Sequence, residues 1–167
     1  MATQQDNSPT IIIDDREKTP LSFPSFPFKT ARLISGDYSI VGSELDFAVE
    51  RKTIDDLIGS LTQNRERFTR EMERLRGYRF KRLLVIGTEQ QIGAGEYFSK
   101  AKPKAILGSL RAFEARYDVP VVFEPTAARA ARRIEIWAHY YHRELRLKAG
   151  LAPVPFPRRI AKIDNCS

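Results

Sequence analysis

Residues 45–61 read LDFAVERKTIDDLIGSL, and within these seventeen residues the spacing of the apolar side chains changes once. The first part predicts a strand from Leu45 to Glu50, because every second residue is apolar, as on a strand with one buried face. The second part predicts a helix that opens at Thr53, with Asp56 three residues later as in a capping box. The apolar residues of this helix are Leu57, Ile58 and Leu61. A strand that leads directly into a helix predicts an α/β domain.

The segments on either side extend this pattern. Further strands are predicted at Thr10–Ile13, Ala31–Ser35, Tyr38–Val41, Leu83–Ile86 and Val119–Phe123. Helices are predicted over Arg65–Arg76, from Pro103 onward and from Thr126 onward, whereas residues 87–99 hold three glycines and predict a loop. Strands that come first, followed by alternating strands and helices, indicate a mixed sheet with helices on both faces.

The composition suits a globular protein with a basic surface. The 167 residues are 42% hydrophobic and carry 28 Lys and Arg against 21 Asp and Glu, which gives a net charge of +7. This excess favours a polyanionic partner without proving one. The segment from Asp14 to Asp56 is nevertheless acidic, and a bound divalent cation would relieve the repulsion between its carboxylates.

Membrane and secretory classes are disfavoured. No run of about eighteen apolar residues is present, and the first ten residues lack the pattern of a signal peptide. A single cysteine, Cys166, excludes a disulfide framework or a cysteine metal site within one chain. We therefore expect an intracellular protein without membrane association, cytoplasmic if its host is prokaryotic or viral and nuclear if it is eukaryotic.

The candidate chemistry lies in Gly36-Asp37 and, after twelve intervening residues, Glu50-Arg51-Lys52. If the two strands are hairpin neighbours, Asp37 meets Glu50, and Lys52 shares the face of Glu50 because residues two apart point the same way. Two carboxylates can hold Mg²⁺, which prefers oxygen ligands. Lys52 would position a water or neutralise developing charge. The alternative from spacing alone is a surface hairpin with ordinary salt bridges.

The wider stretch resembles a known motif. Residues 49–61, VERKTIDDLIGSL, closely resemble the core of XPF-type structure-specific endonucleases, whose pattern is Gly-Asp, a spacer, then Glu-Arg-Lys-x-x-x-Asp. The family's upstream Asp-x-Arg-Glu matches residues 14–17, DDRE, and the resemblance covers roughly residues 10–147. It implies a restriction-endonuclease-like three-layer α/β fold. It also implies cleavage of DNA near junctions of single and double strands, with Mg²⁺ or Mn²⁺, by domains that pair.

The resemblance assigns roles to the acids and the lysine. Asp37 and Glu50 become the expected metal ligands, and Asp14 is expected to approach the metal directly or through water. Lys52 becomes the catalytic lysine. These four residues are the centre of the expected active site.

The surrounding residues receive secondary roles. Arg51 and Arg16 are expected to contact phosphate or to hold carboxylates in place, and Glu17 to be structural. Asp56 belongs to the family's catalytic motif, but its capping of Thr53 explains it equally well. In the basic run 65–82, Arg65 and Arg67 are candidates to track a DNA backbone, although such a run is also typical of a solvated helix face.

The predicted organisation is a flexible N-terminus at 1–9, a nuclease domain at 10–147 and a Pro-rich basic tail at 148–167. Only twenty residues follow position 147, too few for the tandem helix-hairpin-helix module of the family. We therefore expect this domain, its tail or an accessory partner to bind the DNA.

Two other functions stay open: a non-catalytic DNA-binding partner subunit, and a nuclease of the same fold that acts on four-way junctions or plain duplex. A homodimer is also predicted, since the last helix carries a long apolar stripe, with more apolar surface beside it. The stripe consists of Ala130, Ile134, Trp137, Tyr141 and Leu145.

Overall fold

A computed structural model describes residues 8–155. The strands are β1 Ile11–Asp14, β2 Phe28–Ala31, β3 Tyr38–Ile40, β4 Phe47–Thr53, β5 Phe80–Ile86 and β6 Val121–Glu124. The helices are α1 Ile54–Leu61, α2 Arg65–Arg76, α3 Glu89–Ala94, α4 Pro103–Tyr117 and α5 Ala127–Lys148. Most of the predicted flexible N-terminus and the end of the predicted tail lie outside the described residues.

All six strands form one mixed sheet in the order β2-β1-β3-β4-β5-β6. The centre is antiparallel, because β3 runs against both β1 and β4. The two sides are parallel: β2 runs along β1, and β5 and β6 continue parallel to β4. Helices that follow β4 and β5 therefore begin at the carboxyl ends of parallel strands, where α/β folds commonly place a functional site.

The core has two parts, one on each face of the sheet. On one face Ala48 of β4 packs with α1, α2, α3 and α4, around buried side chains such as Leu57, Phe68 and Leu110. On the other face Phe47 and Val49 pack with α5 and with the apolar anchors of the loop at 21–26. This arrangement confirms the predicted three-layer α/β fold with a mixed sheet between helices.

Several local predictions are confirmed. Helix α2 has the predicted bounds, and Phe68, Met72 and Leu75 are its buried face. Thr53 caps α1 and Thr126 caps α5, each through its side chain. Among residues 8–155, no helix combines the length and the apolarity that crossing a membrane would require.

The predicted strand Ala31–Ser35 is wrong. Strand β2 ends at Ala31 and is an edge strand beside β1, and it does not pair with β3. Beyond it, the Leu33 amide donates to the Asp14 carboxylate at 2.7 Å, and the Leu33 carbonyl accepts from Arg16 at 2.8 Å. The Asp14 and Arg16 side chains therefore bond to the backbone groups of Leu33 that would otherwise bond to a neighbouring strand. The apolar spacing therefore reflects a loop in which Leu33 is buried and Ile34 is exposed.

Two further predictions need correction. Leu45 precedes β4 and is 67% exposed, whereas Phe47 and Val49 share a buried face as expected. The loop predicted at 87–99 contains α3, which begins with a capping box between Thr88 and Gln91. Gly95, in the left-handed conformation at φ 75°, ends this helix, so one of the glycines that suggested a loop is a helix terminator.

Candidate active site

Asp37 enters the site because β3 and β4 approach closely. Gly36 has a φ of +78°, and a Cβ built there would lie 3.1 Å from the Val49 carbonyl oxygen, so a side chain fits poorly. The Asp37 amide donates to that carbonyl at 2.8 Å. Tyr38 pairs with Val49 in the antiparallel register, which places Asp37 beside Glu50. The predicted meeting of these two acids across the hairpin is therefore present.

Glu50 and Lys52 lie on one face of β4, as the strand period predicts. The Lys52 ammonium donates to Glu50 Oε1 at 3.1 Å and to Glu71 Oε2 at 3.4 Å. All three side chains are largely buried, with exposed fractions of 12%, 14% and 15%. One lysine thus bridges a strand carboxylate and a helix carboxylate.

Burial and nearby carboxylates disfavour the ionised forms of Asp37 and Glu50. Burial and, next, the charge of Glu50 raise the pKa of Asp37 to about 8. Burial also raises the pKa of Glu50, although Lys52 acts in the opposite direction. Burial alone would lower the pKa of Lys52, but Glu50 and Glu71 outweigh it and raise the value. Lys52 is therefore a cation at neutral pH.

Each of the two acids has an oxygen without a hydrogen-bond donor among the described residues. Asp37 Oδ2 accepts from the Arg51 amide at 2.8 Å, and Glu50 Oε1 accepts from Lys52. Asp37 Oδ1 and Glu50 Oε2 accept no hydrogen bond from residues 8–155. Carboxylate oxygens of this kind suit a hard divalent cation.

The charge balance favours a cation in the same place. Glu17 and Glu71 also act on this pair, so four carboxylates lie near Arg51, Lys52 and the Arg67 guanidinium that pairs with Glu71. The excess is one negative charge when every group is ionised. A bound cation would offset it.

Asp14 does not join the other two acids. Its Oδ1 accepts from the amide and the Nε of Arg16 at 2.9 and 2.7 Å, and its Oδ2 accepts from Arg16 Nη2 and the Leu33 amide at 3.0 and 2.7 Å. Among residues 8–155, no group of three acidic, histidine or cysteine side chains is placed to hold a metal. Asp14 therefore fixes the loop after β2, and its predicted approach to a metal, directly or through water, stays a prediction.

Arg51 holds the Glu17 carboxylate through two hydrogen bonds. Its Nε and Nη2 donate to the two oxygens of Glu17 at 3.1 and 2.9 Å, and Nη2 also donates to Thr19 at 2.8 Å. The Arg51 and Glu17 side chains are only 12% and 6% exposed. The predicted structural role of Glu17, and the option that Arg51 holds a carboxylate, both match this geometry.

The remaining predicted residues lie around the site. Asp56 is exposed; its amide donates to Thr53 Oγ1 at 3.2 Å, which is the helix cap, and its carboxylate accepts from the Thr53 hydroxyl at 2.7 Å. Arg16 is engaged with Asp14 but half exposed.

The two candidate DNA-binding arginines lie on α2. Arg65 donates to the Leu61 carbonyl, and Arg67 pairs with Glu71 at 3.1 Å while 79% exposed. Their contacts with DNA stay predictions.

Glu71 was not identified as a residue of the site from the sequence alone. It follows Phe68 by three residues and precedes Leu75 by four, so helical spacing places it on the core-facing side of α2. A carboxylate on the buried side of a helix needs a partner, and that signal could have found it.

Two cavities flank Arg51. A groove of about 270 Å³, here called the Lys52 groove, lies between α1 and α2; Asp55, Arg67 and Glu71 line it along with Lys52. A larger cavity of about 1030 Å³ lies between residues 19–25 and the start of α5. Its Arg129 and Arg133 are paired with Glu124. Neither Asp37 nor Glu50 lines either cavity, but Lys52, which bonds to Glu50, lines only the smaller groove. We therefore place the candidate site beside the smaller groove.

Comparisons with known proteins identify the family and agree with the fold. The family model described as the ERCC4 domain matches residues 13–135. XPF from Aeropyrum pernix is similar at 22% identity and a TM-score of 0.64, over 85% of this chain and 69% of that chain. The structure of XPF from Aeropyrum pernix in complex with DNA gives 21% and 0.62, over 83% and 67%. The comparison with curated proteins gave no match. Asp37, Glu50 and Lys52 all fall inside the matched range.

Proposed function

The chain belongs to the ERCC4 domain family, and from this premise we propose that it is a divalent-metal-dependent DNA endonuclease. The observation that carries the proposal is the group of Asp37, Glu50 and Lys52. Two buried carboxylates, each with an oxygen that lacks a hydrogen-bond donor among the described residues, lie beside a lysine that is held protonated. The charges of this group suit a divalent cation at the two carboxylates and a phosphodiester beside the lysine.

Asp37 and Glu50 would hold the ion, with Mg²⁺ preferred and Mn²⁺ able to replace it. Two carboxylates suit Mg²⁺, which keeps several waters and is completed by substrate phosphate. When bound, the ion supplies Lewis acidity at the phosphate and lowers the pKa of a nearby water. The Arg51 amide fixes the orientation of Asp37 from the other side.

Lys52 would act as a charge rather than as a base. Its raised pKa keeps the ammonium protonated, so it donates hydrogen bonds and cannot accept a proton at neutral pH. A positioned cation stabilises the negative charge that develops on the phosphoryl oxygens. Glu71 would hold Lys52 in place, and Arg51 with Glu17 would fix the strand that carries both active residues.

DNA would enter along the Lys52 groove. Arg67 lines it with a largely exposed guanidinium, and Arg65 lies on the same helix. The DNA complex of XPF from Aeropyrum pernix supports a nucleic-acid substrate for the fold. We propose branched DNA, or junctions of single and double strands, as the substrate, in repair, recombination or replication.

Assembly with a second copy or an accessory partner is part of this proposal. Tyr140 and Leu147 of α5 are 50% and 44% exposed, whereas Ala130, Ile134 and Ala138 are buried in the chain's own core. The exposed apolar groups would form a two-fold interface. The proposed compartment is intracellular, as the sequence predicts.

A cleavage assay tests the proposed function. Single-turnover reactions would use end-labelled flap, splayed-arm, four-way and duplex DNA, with Mg²⁺, Mn²⁺ or EDTA. We expect cleavage of at least one branched substrate with either metal and none in EDTA. Binding without cleavage of every substrate would favour the non-catalytic partner, and equal cutting of all substrates would favour a plain duplex nuclease.

A further inference from the structure

Phe98 is the most exposed large apolar residue among residues 8–155. Its relative exposure is 97%, against 70% for Ile34, which is next. It lies in the short connection between α3 and α4, beyond Gly95. Scattered apolar residues are common at protein surfaces, but a fully exposed aromatic ring requires a reason.

The backbone around Phe98 is tied down. The Phe98 amide donates to Asp55 Oδ1 at 2.8 Å, and the Tyr97 hydroxyl donates to the Ala101 carbonyl at 2.6 Å. The Ala101 amide in turn donates to Ser99 Oγ at 3.1 Å, and Tyr97 packs against the core. The turn is therefore built in a defined shape, and that shape presents the ring to solvent.

The turn that carries the ring is also tied to the Lys52 groove. Asp55, which holds the Phe98 amide, lines the Lys52 groove. Asp55 is three residues beyond Lys52 in the chain. The backbone of Phe98 is therefore tied to a side chain that lines the groove.

The segment that follows the ring is basic, whereas the exposed acid Glu96 precedes it by two residues. Lys100, Lys102 and Lys104 follow within six residues, and all three are exposed. Lysines attract a phosphate backbone, and an aromatic ring accepts a stacked base of any identity. A protein partner would instead favour a wider apolar patch around a central anchor. Here Ser99 and Lys100 follow the ring, and Tyr97 before it packs against the core.

We propose that Phe98 is a stacking platform for an unpaired nucleobase at the mouth of the Lys52 groove. The following lysines would hold the phosphates of the same strand. This inference rests on the proposed nuclease function and deepens it. It assigns to the chain a site for the single-stranded arm of a branched substrate.

Binding without cleavage tests the proposal. Fluorescence anisotropy in EDTA would compare single-stranded, splayed-arm and blunt duplex DNA with the wild type and with Phe98→Ala, Phe98→Leu and Phe98→Tyr. Leu45→Ala, which truncates another exposed apolar residue outside the groove, is the matched control. Thermal unfolding would verify that every variant is folded.

We expect Phe98→Ala and Phe98→Leu to weaken binding of single-stranded and splayed-arm DNA by roughly ten-fold, because stacking needs a π-face. Phe98→Tyr and Leu45→Ala should stay within about two-fold of the wild type, as should every variant on blunt duplex. Wild-type affinity of Phe98→Ala for unpaired DNA would overturn the proposal. So would wild-type affinity of Phe98→Leu, since apolarity alone would then suffice.

The outcome is separable from that of the cleavage assay. A wild type that cuts branched DNA, with Phe98→Ala binding unpaired DNA normally, would overturn the platform alone. A wild type that cuts nothing with Mg²⁺ or Mn²⁺, with Phe98→Ala still losing affinity, would support the platform and refute the nuclease.

Discussion

Replacing Asp37 with asparagine should stabilise the metal-free protein while it abolishes cleavage. The side chain is buried beside Glu50, and these two causes raise its pKa from 3.8 to about 8. Asparagine removes the charge and keeps an acceptor oxygen for the Arg51 amide, which donates to Asp37 Oδ2. Functional sites commonly contain ionisable side chains whose charged form destabilises the fold when no ligand is bound.

The sign of the pH dependence follows from the raised pKa. Between about pH 4 and pH 8, folded Asp37 retains a proton that the unfolded chain releases, so the free energy of unfolding falls as the pH rises through this window. One pKa unit corresponds to about 1.4 kcal/mol, which sets an upper limit of about 6 kcal/mol on the effect. Because solvent and Glu50 readjust, we expect Asp37→Asn to gain about 2–4 kcal/mol at pH 8 and little at pH 4.

Urea unfolding in EDTA at pH 4, 6 and 8 measures this effect. Asp46→Asn, which changes an exposed carboxylate, is the control and should follow the wild type. Mg²⁺ should then stabilise the wild type but not Asp37→Asn. An Asp37→Asn protein no more stable than the wild type at pH 8 would refute the reasoning.

Other substitutions test the remaining parts of the site. Lys52→Met should lower the single-turnover cleavage rate by about 10²–10³ while Mn²⁺ affinity changes little, because the lysine is not a ligand; a lost affinity with an intact rate would contradict its role. Arg51→Ala should cost about 3 kcal/mol in urea unfolding, because it leaves buried Glu17 without its cation, and adding Glu17→Gln should recover part of that loss. Thr53→Ala should cost about 1 kcal/mol through loss of the α1 cap, and no change would argue against the cap. Light scattering should give the mass of a dimer at micromolar concentration, and a monomer would count against the proposed interface.

The centre of the fold and the acid pair could be predicted from the sequence because both depend on local periodicity. The change of period between Val49 and Thr53 predicts a strand followed by a capped helix, which are β4 and α1. Strand geometry alone then places Lys52 on the face of Glu50. The meeting with Asp37 required only that β3 and β4 be neighbours.

The errors came from tertiary contacts that spacing does not encode. Leu33 looks like a strand residue, but the Asp14 carboxylate and the Arg16 guanidinium take its backbone groups. The same bonds engage Asp14, whose approach to a metal stays a prediction from the resemblance. Glu71 reaches Lys52 from a different helix, nineteen residues away in the chain, so no local pattern names the pair.

The central claim is that Asp37 and Glu50 together hold one catalytic divalent cation. Calorimetric titration of Mn²⁺ into the purified protein without DNA tests it most directly, with Asp37→Asn, Glu50→Gln and the control Asp46→Asn in parallel. We predict one ion per chain for the wild type and Asp46→Asn, and affinity lowered by at least about ten-fold for the other two variants, because each loses a charged ligand. Unchanged Mn²⁺ binding by Asp37→Asn or Glu50→Gln would contradict the claim.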